Sequence, residues 1–160
     1  MHYKLIAIFA AVASFNVSAE STDIAICRDP SGKAFRHFSG PQDKATAGWS
    51  DEKIGGGVVT LVQGTDGTFD MLYVDVRKRP ISMAQDGAKI IKLRSGPSEL
   101  SLLAHYSGST SEIYSFFREK DGKNRYTVMT SRIGPETFAP KSSVMVGDCE
   151  PIRFDLIRGQ

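Results

Sequence analysis

Two isolated histidines, two distant cysteines, a glycine triplet and a short cationic run are the residues beyond the N-terminal segment whose types could do chemistry. Acid–base or nucleophilic catalysis needs a nucleophile, a base and an orienting group within reach of one another. His37 lies between Arg36 and Phe38, and His105 lies between Ala104 and Tyr106 on a strand-like face shared with Ser101 and Leu103. Serines are abundant, but none stands in a nucleophile-elbow pattern. A hydrolase using His37 or His105 with a nearby carboxylate is therefore one reading, and ordinary strand and loop histidines are the simpler one. Zinc ligands usually come in close pairs, and calcium loops carry alternating acids before a glycine. Neither pattern occurs here, so no metal and no cofactor is expected.

Gly55-Gly56-Gly57 would suit phosphate binding only with a strand before it and a helix after it. Val58-Val59-Thr60-Leu61-Val62 follows, which is strand material, so a flexible lead-in to a sheet or a bulge is expected. Arg77, Lys78 and Arg79 precede Pro80 and form the densest positive cluster, with Lys89, Lys92 and Arg94 near in sequence. They are a candidate cationic patch for an acidic partner. The simpler reading is a sheet edge protected by charge and proline.

The compartment decides how the cysteines are read. Met1-His2-Tyr3-Lys4 is a short basic start, Leu5 to Phe15 is apolar but for Ser14, and Val17-Ser18-Ala19 offers a cleavage site. This is the layout of a secretory signal peptide over residues 1–19, with cutting after Ala19 and a mature chain from Glu20 to Gln160. The run is too short to span a bilayer, which takes about 20 apolar residues. In an oxidising compartment, Cys27 and Cys149 are expected to form one disulfide joining the first strand-like segment to the last. On the chain-entropy treatment a loop this long contributes about 4–5 kcal/mol. The formal net charge is +2, and the leader holds one lysine and no acid. So even a balance gives no reason to expect nucleic acid as a partner. The expected product is a monomer of the periplasm or the exterior, without a membrane span.

The rest of the chain reads as strands and turns. Asp29-Pro30-Ser31-Gly32 and Ser39-Gly40-Pro41 are turn signals, and Lys33 to Phe38 is a short strand between them. Asp43 to Lys53 has room for one short helix. Further strands are expected over Val58–Gln63, Thr68–Val76, Ile81–Gln85, Lys89–Arg94, Glu99–Tyr106, Ser111–Glu119, Asn124–Ile133 and Lys141–Cys149. Asp66-Gly67, Asp86-Gly87 and Asp121-Gly122 are hairpin signals of the type I′ kind. Strand-length runs at this spacing predict an all-β domain over residues 20–160, a small antiparallel up-and-down barrel with at most one short helix. A flattened barrel or a β-sandwich is the alternative. The aromatic residues, among them Phe69, Tyr73, Tyr106, Tyr114, Phe116 and Tyr126, either fill a closed core or line a cavity; the filled core is expected.

Ser107, Gly108, Ser109, Thr110 and Ser111 form a small-residue loop between aromatic strands, and Asp121-Gly122-Lys123 offers a second tip. This stretch, Tyr106 to Lys123, and the plan of an exported barrel resemble the periplasmic lysozyme inhibitors, small disulfide-tied barrels presenting a Ser-Gly loop. The segment from Pro30 to Lys53 departs from that pattern. The leading functional reading is a non-enzymatic binding domain, with Ser107, Gly108, Ser109, Thr110 and Lys123 as partner-binding loops. What the resemblance implies, an inhibitor of a cell-wall hydrolase, is the alternative.

Overall fold

A computed structural model describes residues 21–39, 44–74, 79–134 and 137–158. The expected leader and its cleavage point, and Arg77 and Lys78 of the cationic run, lie outside the described residues.

The fold is all-β, as its alternating apolar runs predict. Its strands are β1 (Ser21–Arg36), β2 (Gly48–Lys53), β3 (Val58–Gly64), β4 (Phe69–Val74), β5 (Pro80–Ser82), β6 (Lys89–Gly96), β7 (Glu99–Tyr106), β8 (Thr110–Arg118), β9 (Asn124–Arg132) and β10 (Lys141–Cys149). They form one strongly curled antiparallel sheet in the order β5-β4-β3-β1-β10-β9-β8-β7-β6, with β2 paired to β1. This is the neighbour order of an up-and-down barrel with one seam unzipped. β4 and β6 approach each other across that seam without joining the ladder, so the result is a half-barrel.

β1 closes the sheet because it is long enough to serve three neighbours. Its first half pairs β3, its second half pairs β2, and its other edge pairs β10. The expected turn at Asp29-Pro30-Ser31-Gly32 is instead a bulge within this strand, where the register against β10 slips between Arg28 and Ser31. The same chemistry that reverses a chain here bends it. Asp29 takes a φ of 49°, and Pro30 brings no N–H to the ladder. The flanking bonds hold the bend on both sides: Asp29 N–H donates to Gly57 O, and Ile54 N–H donates to Pro30 O.

The segment expected to hold a helix gives only a 3-10 turn at Lys44–Thr46 and then the strand β2. Trp49 and the charged residues that follow alternate, which suits an edge strand rather than a helical stripe. Asp66-Gly67 and Asp121-Gly122 do close hairpins, but not as type I′ turns. Only the glycines have positive φ, at 83° and 87°. Gly64 N–H donates to Thr68 O and Glu119 N–H to Lys123 O, closing loops 65–67 and 120–122. A type I turn ending in left-handed glycine is the usual answer at that length. Asp86-Gly87 lies between β5 and β6, which do not pair.

Cys27 and Cys149 are register partners at the β1–β10 closure and form the expected disulfide, with Cα atoms 4.0 Å apart. Glu150 N–H donates to Ile26 O, so the adjacent cysteine pair occupies a non-hydrogen-bonded position, where side chains lie closest.

The concave face carries the core: Cys27, Leu61, Met71, Leu100, Leu102, Ala104, Phe116, Val128 and Met145 are buried there. The C-terminal segment seals one end. Ile152, Phe154 and Ile157 are buried in the same core. The side chain of Arg118 donates to Ile152 O and lies 5.8 Å from the Phe154 ring centroid. Buried Gln63 accepts from Arg158 N–H and donates to Arg158 O, tying the tail to β3.

Replacing both cysteines by alanine is expected to lower stability by about 2–5 kcal/mol. Urea unfolding of the oxidised protein and of the double variant checks this; equal midpoints would show that the bond does not constrain the unfolded chain.

Candidate functional site

The curl leaves part of the concave face unfilled. Opposite the sealed end is a cavity of about 440 Å³, lined by Pro30 and Val59, by Met83 and Asp86, and by Tyr73, Tyr106, Tyr114, Tyr126, Glu112 and Arg132. The expected filled core is thus present in part, and a cavity lies beside it. Phe116, Tyr114 and Tyr126 are packed in the core, whereas Tyr73 and Tyr106 are only partly buried and border open volume. Small rings of strands fill with side chains, whereas an unzipped seam keeps the opposite walls apart.

Each polar lining group is placed by strand register. Glu112 on β8 lies across from Ala104 of β7 and Thr130 of β9, so all three share the concave face. Its Oε2 accepts from Tyr114 Oη at 2.7 Å and its Oε1 from Thr130 Oγ1 at 3.3 Å. On the far wall Asp70 Oδ1 accepts from Ala84 N–H at 3.1 Å and Asp70 Oδ2 from the Ser82 hydroxyl. These bonds fold the 82–88 turn over β4 and bring Asp86 to the cavity, where its Oδ2 accepts from Tyr73 Oη at 3.0 Å. Tyr126 is held by its ring. It stacks on Phe116 at 6.1 Å and lies across Gly147, where an added Cβ would come within 2.4 Å of Cε1. Its hydroxyl is fully buried and has no hydrogen-bond partner among the described residues.

The phenols sit in an apolar, negatively charged setting. Burial, then the Glu112 carboxylate, pushes Tyr114 far above the ordinary phenol range. Tyr106 is raised by burial and by the charges of Asp86 and Glu112, and Tyr126 by burial and Asp29.

The structure separates several residues that sequence reasoning grouped. Ser109 and Thr110 line the cavity beside Tyr106, whereas Lys123 lies in the turn at the other end of β8, paired with Asp121 at 2.9 Å. Ser107 and Gly108 are exposed in the β7–β8 turn, where Gly108 has a φ of 76°. The two loops therefore do not form one tip. Arg79 is exposed beside the edge strand β5. Lys89 and Arg94 pair with His105 and Ser101 on the convex face, while Lys92 pairs with Leu102 on the concave side, so these cations do not gather on one face. Arg94 is also bonded to Glu99 at 2.6 Å.

His105 Nδ1 lies 2.9 Å from Ser111 Oγ on the convex face, and His37 Nε2 lies 3.4 Å from Ser142 Oγ beside the Phe35 ring. Among the described residues neither imidazole has a carboxylate partner, and no cluster of three or more metal-ligating side chains occurs. Sequence reasoning read Asp86 only as a turn residue and did not single out Glu112 or Arg132. The one available signal was Glu112 placed two residues before Tyr114 on a strand, which puts both on one face.

Two results are expected from the cavity phenols. Tyr106, Tyr114 and Tyr126 are raised above the ordinary phenol value of 10.0. A group whose folded value is raised contributes stability in full below its unfolded value and loses it as pH climbs toward the folded one. Absorbance titration should therefore show these phenols resisting ionisation above pH 10 until the protein unfolds; ionisation of every tyrosine in the folded state would contradict this. Tyr114→Phe should cost about 1–3 kcal/mol by stranding Glu112, whereas Tyr126→Phe, which removes an unpartnered hydroxyl, should leave stability level or raise it. Thermal unfolding of the two variants separates them.

Comparison with protein-family models, with curated proteins and with solved structures gives no match for this chain.

Proposed function

We propose that the protein is an exported, non-enzymatic binding protein of the periplasm or the exterior, and that it takes a small ligand in the concave cup. The observation that carries this reading is the cavity of about 440 Å³ in the concave face, bordered by Tyr73 and Tyr106 and by Glu112, Asp86 and Arg132. The cavity size falls within the range of small-ligand sites, and its lining mixes aromatic surface with a few placed polar groups, as such sites do. The Cys27–Cys149 bond fits an oxidising compartment.

The test is a fragment library screened by amide NMR on the oxidised protein. Shift changes are expected to cluster at Tyr106, Thr110, Glu112 and Tyr126. Ser109→Trp, at the mouth, is expected to abolish them without lowering the melting temperature. Changes confined to the convex face, around Leu103 and Met129, or none at all, would refute the cup as the binding site.

A further inference from the structure

Two opposite charges line the cup and do not pair with each other. Glu112 on β8 lies across from Thr130, and Arg132 stands two residues further along β9, in register with Thr110. Positions two apart on a strand face the same side, so both side chains belong to the concave face, and both border the cavity. Diagonal positions on neighbouring strands are within reach of long side chains, so a carboxylate and a guanidinium there can bond directly. Glu112 instead accepts from two hydroxyls, those of Tyr114 and Thr130, and among the described residues no carboxylate pairs with Arg132. The hydroxyls bring no positive charge. Glu112 is partly buried, where a charge without a counter-charge is costly. Arg132 is exposed, so its charge is open to a guest at the mouth.

The neutral lining groups follow the same division. Ser109 and Thr110 add hydroxyl donors on the Arg132 side, since Thr110 is its register partner. Asp86 joins Glu112: the charges of both act on the Tyr106 phenol, so the two carboxylates bear on one part of the cup. The remaining surface is apolar, from Val59, Met83 and the partly buried rings of Tyr73 and Tyr106. A guest with an ammonium alone leaves the guanidinium unanswered, and a guest with a carboxylate alone leaves Glu112 unanswered. A guest that carries both charges answers both with charge-assisted hydrogen bonds. We propose that the cup binds a small zwitterion with an apolar body, an amino acid or a short peptide, its ammonium on Glu112 and its carboxylate on Arg132 and the hydroxyls of Ser109 and Thr110. This rests on the cup being a ligand site and names the chemical class of its guest.

The test uses probes that share a phenyl body and differ in charge: phenylalanine with both charges, phenethylamine with the ammonium alone and 3-phenylpropionate with the carboxylate alone, titrated by calorimetry and amide NMR. Phenylalanine is expected to bind about fivefold to tenfold tighter than either singly charged probe. Glycylphenylalanine, whose charges lie farther apart, is the arm for a peptide, and the tighter of the two zwitterions names the source. Glu112→Gln should weaken phenylalanine and phenethylamine by about tenfold and leave 3-phenylpropionate level or tighter. Arg132→Gln should weaken phenylalanine and 3-phenylpropionate by about fivefold and leave phenethylamine level. Arg132 is exposed, so its variant supplies the contrast should the first fail to fold. A singly charged probe that equals or exceeds both zwitterions, a variant that weakens all the probes alike, or zwitterions that do not bind while other fragments perturb the cup overturns the assignment and leaves the cup as a site. Absence of any fragment from the cup overturns both.

Discussion

The pairing of the first strand with the last is the constraint on which the other features depend. β1 and β10 are separated by nearly the whole described chain, and their ladder joins the β3–β5 wall to the β6–β9 wall. The Cys27–Cys149 bond sits within that ladder, 122 residues apart in sequence, and removes much of the entropy that opposes so distant a pairing. The remaining strands then join neighbours close in sequence: β3 to β4 and β5 on one wall, β9 back to β6 on the other.

The shape of the cup follows from local departures within this frame. A straight β1 could not serve β3 and β2 on one edge; the Asp29–Pro30 bulge lets it turn between them. Opposite the bulge, Gly147 leaves space for the Tyr126 ring, since a Cβ there would lie 2.5 Å from Arg28 O and closer still to the ring. The bend and the missing side chain set Tyr126 in the wall. The unzipped seam between β4 and β6 keeps the two walls from packing together, and the C-terminal tail plugs only the far end.

The two faces of the sheet divide the chemistry. Ile91, Leu103, Ile113, Met129 and Val144 are direct cross-strand partners in a row across the convex face of β6 to β10, and Met129 and Val144 are 42% and 50% exposed. Such pairs stabilise neighbouring strands without a second layer over them. The concave face combines its apolar core with carboxylates and phenols bonded to one another. That arrangement holds Glu112 and Asp86 in place by hydrogen bonds from Tyr114, Thr130 and Tyr73.

Much of the fold was legible in the residues. Alternation along Glu99–Tyr106 and Lys141–Cys149 reproduces β7 and β10 at both ends, because period-2 burial is a local property of a strand. Cysteine count and the apolar leader pointed to the disulfide, because pairing in an export pathway depends on number more than on geometry. The Asp29–Pro30 bulge misled as a turn, since a bent strand and a reversed chain ask for the same residues. The cup was not legible. Whether an inward tyrosine packs or faces open volume depends on how far the sheet curls and where it fails to close, and both are sums over all ten strands. Glu112, Asp86 and Tyr126 come from β8, the turn after β5, and β9, and only the tertiary fold brings them to one cavity.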